Sequence, residues 1–439
     1  MQTMRKLNKQ KTNRDNLRGR IEELSKEKRR LTALLKVTRA ISNELNLDTL
    51  LYKIMQEVKQ VLHADRCTLF MLDKDKNELW SRLAMGIKEE IRIPVNKGIV
   101  GHVFNSGQVL NIPDAYKDKR FNPEIDKKTG YKTQSILTMP LQNKFHEVLG
   151  VFQALNKKEG VFTGKDEELL SAISLIAASA IENAQLHDEQ KKTFISFIET
   201  LSTTLDTRDY ITAGHSRRVT LYALEMGRLI KLETQSMEVL RYAALLHDIG
   251  KIAIPEVVLF KDRRLSEDEF EMIKRHAHIT KNILSKIHFQ DKYKEIALVA
   301  ASHHEKLDGS GYPEGLKGEQ IPLGGKILAV ADVFDALTSR RQYQDRMDLE
   351  KVIEVLDKET GTSFEPFVVY NFKMIPLDRL IKILEYGHID EINRDDLNRL
   401  KEYTLREIVD IRSKSSKSEE ELEIENIFMR YYLRQYRME

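Results

Sequence analysis

The sequence predicts a multidomain protein: a short N-terminal coiled coil, an α/β unit, and an all-helical bundle reached through one long helix. Three observations carry this. The 439 residues are too many for one ordinary core, because domains average about 150 residues. The hydrophobic period changes along the chain, from helical to alternating and back to helical. Seven of the twelve histidines fall between His215 and His304, a clustering that scattered core histidines would not produce. Hydrophobic residues at 41% and charged residues at 32% support buried cores beneath a solvated surface and exclude a mostly disordered chain.

Charge and cysteine content narrow the function classes. The formal net charge is +3, so no global field argues for a specific nucleic-acid partner. The basic excess is local, with 11 basic and 4 acidic side chains in residues 1–30. Cys67 is the single cysteine, so no intrachain disulfide is available and a metal site must be built from nitrogen and oxygen donors. A reducing cytoplasm fits this usage. The longest apolar runs, such as Ile327–Ala331, fall far short of the ~20 residues that span a bilayer. No charged start leads into an apolar signal core, so the sequence argues against membrane insertion and export.

The elements follow in order. Leu17, Ile21, Leu24, Leu31 and Leu35 alternate in steps of four and three, which predicts a basic coiled-coil helix over residues 1–35 and a homodimer. A helix over Leu47–Leu62 and strand-like runs over Arg66–Leu72, Ser135–Leu141 and Val148–Leu155 predict the α/β unit. Residues 36–186 resemble a GAF domain, a small-molecule-binding fold with an antiparallel sheet between helices. Asn156, Lys157, Phe162 and Asp166 are similar to the Asn-Lys-Phe-Asp-Glu pattern of cyclic-nucleotide-binding GAF domains. The resemblance makes them ligand candidates, although a Lys-to-Asp pair also serves as a structural clasp. No Gly or Pro stands between Gly164 and Gly214, which predicts a long helix with a break near His187–Lys192. Its portion over 187–205 connects the two halves. Residues 371–439 read as a polar helical extension interrupted near Lys414–Lys417.

His215, His247, His276, His303 and Asp332 are separated by 32, 29, 27 and 29 residues, about one helical hairpin each time. Largely apolar helical segments precede His247, His303 and Asp332, so donors from different helices can meet in one core. Without a cation such a cluster would cost several kcal/mol in poorly satisfied buried polar groups. Asp248 follows His247 directly and can bridge two ions, with Lys251 one turn beyond. His303-His304-Glu305 runs into a Gly-rich loop containing Gly311-Tyr312-Pro313, which reads as ligands followed by a substrate lip.

Residues 195–370 closely resemble an HD-GYP domain, a variant of the HD phosphohydrolases that hydrolyses cyclic di-GMP. The resemblance implies an all-helical HD-type bundle and a metal-dependent phosphodiesterase. It implies two divalent metal ions, Fe or Mn, with no organic cofactor. His215, His247, Asp248 and Asp332 would surround one ion, and Asp248 would bridge to a second held by His276, His303 and His304. Lys251 and Asp248 become the catalytic candidates. Gly311, Tyr312, Pro313, Asp335, Arg341 and Lys251 become the substrate-binding candidates. Two departures stand out. Ile211 occupies the place where some members carry a Glu that holds a third ion, and Gln344 and Asp345 follow Tyr343 where members often carry further basic residues. The expected product is pGpG, with completion to GMP open. The alternatives are a silent cyclic-dinucleotide-binding scaffold and a hydrolase of another nucleotide such as cyclic GMP-AMP.

Overall fold

A computed structural model of the chain describes residues 17–434, except 18–19, 22–23, 26, 29–30, 33, 82–89, 209–213, 262, 290 and 340–345. The chain divides into two compact units, Met1–Thr193 and Phe194–Glu439.

The first unit is built on a six-stranded antiparallel sheet of order β3-β2-β1-β6-β5-β4. Its strands are β1 (Ala64–Asp73), β2 (Glu78–Ser81), β3 (Ile91–Pro94), β4 (Leu110–Ile112), β5 (Ile136–Gln142) and β6 (Val148–Lys157). The helices of this unit are α1 (Leu47–Val61), α2 (Gly98–Ser106), α3 (Glu124–Thr129) and the start of α4 (Gly164–Arg208). Asn46 caps α1 by accepting from the amide of Thr49, which satisfies one of the unpaired donors of the first turn. Alternation along the strands sorts side chains to two faces. Cys67, Leu69, Met71, Leu137, Met139, Phe152 and Ala154 share one core with Ile54 and Val58 of α1 and with Leu170, Ile173, Ala177 and Ile181 of α4. Phe70, Leu79 and Val151 pack with Val100 and Val103 of α2 on the other face. Burial pushes the Cys67 thiol up to about 12, so it stays protonated and unreactive.

Helix α4 runs unbroken for 45 residues, so the break expected near His187–Lys192 does not occur; helix-compatible side chains throughout leave the backbone no reason to stop. By length and composition this is the one helix among the described residues able to cross a bilayer, because interspersed alanines raise its apolar content without forming a continuous run. Its inner face is instead occupied by the core of the first unit.

The second unit is helical. After the end of α4 come α5 (His215–Leu229), α6 (Thr234–Leu246), α7 (Glu256–Leu259), α8 (Glu267–Leu284), α9 (Ile296–Ala301), α10 (Leu323–Thr338), α11 (Leu349–Glu359), α12 (Pro366–Phe372), α13 (Leu377–Leu384), α14 (Arg394–Leu400), α15 (Leu405–Ser413) and α16 (Glu419–Tyr432). Ser266 and Glu269 form a capping box that starts α8, and Ser418 with Glu421 does the same for α16. The last four helices are no separate appendage. Leu377, Leu380, Leu405, Ile427 and Phe428 belong to the same core as Tyr222, Tyr242 and Phe334. Arg346 ties them in. Its guanidinium donates to the carbonyls of Leu384, Tyr431 and Tyr432 at 2.8, 3.1 and 3.0 Å and pairs with the buried Glu385 carboxylate at 3.0 Å.

Candidate metal centre

The helical unit brings seven of the predicted donors together. His215 opens α5, His247 caps the end of α6, His276 lies within α8, and His303 and His304 occupy a 3-10 turn directly after α9; Asp332 lies in α10. Asp248 follows His247 and leads into a 3-10 turn, Ile249–Ala253, that carries Lys251. Three groups of donor atoms lie within 4.8 Å of one another: His215, His247 and Asp332; His276, His303 and His304; and His247, Asp248 and His303. Asp248 faces both sides. Its Oδ2 is 3.4 Å from His247 Nε2 and 3.9 Å from His215 Nε2, and its Oδ1 is 3.4 Å from His276 Nε2 and 3.9 Å from His303 Nε2.

Glycine makes this convergence possible at two points. A Cβ on Gly250 would stand 2.0 Å from the His276 carbonyl oxygen, so only glycine lets the turn after Asp248 lie against α8. Thr280 locks the contact, accepting from the Gly250 amide at 3.0 Å and donating to the His247 carbonyl at 2.9 Å. A Cβ on Gly311 would lie 2.4 Å from the Lys306 amide nitrogen, so the loop can fold back beneath His304. Tyr312 donates its amide to the His304 carbonyl at 3.2 Å, and its ring packs on the His304 imidazole with centroids 4.7 Å apart.

Ring orientation sets the donor atoms. His247, His276 and His303 each place Nδ1 2.6 to 2.7 Å from the carbonyl three residues earlier, on Ala244, Ile273 and Ala300. A carbonyl only accepts, so Nδ1 carries the proton and Nε2 turns a lone pair into the centre. His247 Nε2 is buried and has no hydrogen-bond partner. An orphaned lone pair in a dry site is costly, and a cation removes that cost. Imidazole and carboxylate donors of this kind suit divalent first-row metals, so the residues present fit the divalent ions that the resemblance implies.

Electrostatics agree with that reading. Burial holds His303 well below the ordinary imidazole range, helped by the neighbouring His304 and His247. His304 is pushed down to about 4, chiefly by burial, and His276 is lowered by burial against the opposing pull of Asp248. Asp248 resists its own burial because Lys251 and the surrounding imidazoles hold its carboxyl well below the usual range. Asp332 is likewise lowered against its burial, by His215 first. His215 behaves oppositely: burial opposes its charge, yet the Asp332 and Asp335 carboxylates raise it to about 10.

A pH dependence follows for the metal-free protein. Folded values for His276, His303 and His304 lie below the ordinary value near 6.5, so on acidification the unfolded chain takes up protons that the folded chain refuses. Chelator-treated protein is expected to lose thermal stability progressively from about pH 6.5 toward about pH 4, where burial has pushed His304. His215 works in the alkaline direction, its stabilisation present below pH 6.5 and lost as pH rises through about 10. Unfolding temperatures of the metal-free chain measured across pH 4–7 check this; a flat profile contradicts it.

The substrate candidates divide. Lys251 reaches the centre, its Nζ 2.6 Å from Asp248 Oδ2 and its side chain 25% exposed. Tyr312 is half-buried against His304, Pro313 follows it in the loop, and the role of Gly311 is the close packing just described. Asp335 is enclosed. It is 1% exposed, and α10 turns it toward His215 and Arg218 of α5. Arg341 and Ile211 lie outside the described residues. Glu305, which local pattern does not mark as the clamp of the loop, is one: its buried carboxylate accepts from the amides of Glu314 and Leu316 at 2.7 and 2.9 Å.

In the first unit the four ligand candidates are used internally. Lys157 Nζ pairs with Asp166 Oδ2 at 2.5 Å, and the same oxygen accepts from the Thr163 amide and hydroxyl. Asn156 accepts from the amides of Gln134 and Ser135 and donates to the Lys132 carbonyl. Phe162 is buried in the core. They build a clasp, with Lys157 paired to Asp166 and the polar atoms of Asn156 turned to neighbouring backbone.

Comparison with known proteins matches both units. Residues 199–368 match the HD domain family and residues 46–181 the GAF domain family. The chain is 36% identical over 206 residues to 3'3'-cGAMP-specific phosphodiesterase 2 of Vibrio cholerae, covering 46% of this chain and 39% of that protein. It is 41% identical over 167 residues to the cyclic di-GMP phosphodiesterase response regulator RpfG of Xanthomonas campestris pv. campestris, covering 38% of this chain and 44% of that one. The chain thus spans less than half the length of these curated relatives. A solved GAF domain from an Acinetobacter phosphoenolpyruvate-protein phosphotransferase aligns over 36% of this chain and 97% of its own, with 20% identity and a TM-score of 0.32. The chain thus carries a region that matches the GAF domain family followed by one that matches the HD domain family.

Proposed function

We propose that this protein is a metal-dependent phosphodiesterase that hydrolyses cyclic di-GMP to linear pGpG, under control of its GAF domain. The observation that carries the reading is the convergence of seven donors from five helical segments, with Asp248 at their middle. His215, His247, Asp248 and Asp332 would hold one divalent ion and His276, His303 and His304 a second, iron or manganese, with Asp248 shared. Such a pair, when bound, supplies Lewis acidity toward the phosphodiester and lowers the pKa of water.

The chain's own residues do the remaining work. Lys251, beside Asp248 and partly open to solvent, can bind a phosphate oxygen or give its proton to the departing ribose 3′ oxygen. Tyr312, packed beside His304, would stack on or hydrogen-bond a purine, and Arg341 would neutralise a phosphate. Glu305 and Gly311 keep the Tyr312 loop against His304 so that the rim does not drift.

Cleavage of 3′3′-cyclic GMP-AMP is the second reading, favoured by the Vibrio cholerae relative. Protein loaded anaerobically with iron or manganese and offered each dinucleotide separately tests both, with products separated by chromatography. Formation of pGpG is expected. Cleavage of cyclic GMP-AMP alone overturns the substrate, and cleavage of neither by a metal-loaded chain favours a scaffold that binds without turnover.

The proposal includes a cytoplasmic homodimer. Leu17, Ile21, Leu24, Leu31 and Leu35 sit on helical backbone and are 56% to 66% exposed, an apolar seam at coiled-coil spacing that a second copy would cover. Leu24→Glu is expected to turn the dimer into a monomer at micromolar concentration by light scattering. A dimer that survives the change places the interface elsewhere.

A further inference from the structure

His215 differs from the other histidines of the centre in what stands behind its ring. His247, His276 and His303 each lean on a carbonyl three residues back. His215 is the first residue of α5, so no preceding turn of its own helix offers a carbonyl. Its Nδ1 is 2.8 Å from Asp335 Oδ2 instead.

Asp335 is itself firmly held. Arg218, three residues beyond His215 on the same face of α5, donates from Nε to Oδ1 at 2.8 Å and from Nη2 to Oδ2 at 3.0 Å. This is a two-pronged contact that fixes the plane of the carboxylate. Ser339 Oγ donates to Oδ2 at 2.8 Å and accepts from Arg218 Nη2 at 2.7 Å. Both carboxylate oxygens are therefore engaged, and the residue is 1% exposed. A side chain so enclosed has no face left for a nucleotide.

We propose that Asp335, braced by Arg218 and Ser339, is the positioning residue that aims His215 Nε2 at Asp332 and Asp248, rather than a substrate contact. The inference rests on the metal-dependent reading above. A carboxylate behind a ligating imidazole fixes the ring and raises the basicity of the far nitrogen. Asp335 lies one turn beyond Asp332 on α10, so one helix delivers a donor and the brace for its neighbour. The distance of 3.1 Å between His215 Nε2 and Asp332 Oδ1 is the arrangement that the brace preserves.

The test uses the full chain, stripped of metal and titrated anaerobically with Mn2+ or Co2+. Wild type is expected to take up two ions. Asp335→Ala is expected to weaken one of them by about 10- to 100-fold, the usual consequence of losing such a partner, and to leave the other unchanged. Asp335→Asn keeps an acceptor for Nδ1–H but loses the charge, so its loss falls between. In Co2+-loaded protein, the visible absorption of one ion should fade at an ion concentration that still saturates wild type. Unfolding of the metal-free variants verifies the fold; if Asp335→Ala does not fold, Asp335→Asn and Arg218→Lys carry the measurement. Folded variants that bind both ions with wild-type affinity overturn the proposal, as does a raised KM with intact metal content. A wild-type chain that takes up no ion overturns the metal-dependent reading instead, and the two failures are distinct.

Discussion

Asp248→Asn is expected to lower kcat by at least about 10³-fold, or about 4 kcal/mol of transition-state stabilisation, and to reduce bound metal below two ions per chain. The reason is geometric. Asp248 presents one oxygen toward His215 and His247 and the other toward His276 and His303, so one carboxylate serves both halves of the centre. The amide that replaces it is neutral, and one of its ends becomes a donor that faces imidazole lone pairs. The fold itself is expected to survive, because the substitution preserves shape and the adjoining turn is held by Gly250 and Thr280. Metal analysis and turnover on the same preparation check the prediction. Two retained ions with more than a tenth of the wild-type rate would falsify the bridging role, whereas a scaffold would keep its effect in cells with this substitution in place.

The centre was legible in the sequence to the extent that local rules govern it. Recurrent spacing of His215, His247, His276, His303 and Asp332 reports one donor per helical hairpin, and apolar segments before them report burial. The antiparallel sheet was likewise foreshadowed by the alternating runs that became β5 and β6. What escaped depends on contacts across more than a hundred residues. Asp335 shares a helix face with Asp332, which suggests a common task, but its actual partners His215 and Arg218 lie 120 and 117 residues away. Only the packing of α10 against α5 decides that the carboxylate turns inward. Glu305 follows the same logic. Within the His-His-Glu run it resembles a third donor, yet the loop that folds back over it takes both its oxygens. The continuity of α4 is hidden for another reason: polar residues from His187 to Lys192 resemble a boundary, but each is compatible with helix, and a solvated helical face needs no apolar stripe.

Lys251→Met is expected to lower kcat toward the cyclic dinucleotide by about 10²- to 10⁴-fold, the range for loss of a positioned proton donor, while metal content stays at the wild-type level. Lys251 is not a donor to a cation; its ammonium lies 2.6 Å from Asp248 Oδ2 and helps keep that carboxyl ionised, a task that bound cations take over. Methionine retains the length and apolar stem of lysine, so the 3-10 turn keeps its packing against α8 and the loss reports the charge and proton alone. Leaving-group chemistry then separates the two roles open to the ammonium. A ribose 3′ oxygen is a poor leaving group and needs a proton, whereas a nitrophenolate departs without one. If Lys251 supplies that proton, the variant retains most of its rate toward bis(nitrophenyl) phosphate and loses it toward the dinucleotide. Comparable losses on both substrates make it a phosphate clamp, and unchanged rates on both remove it from the reaction.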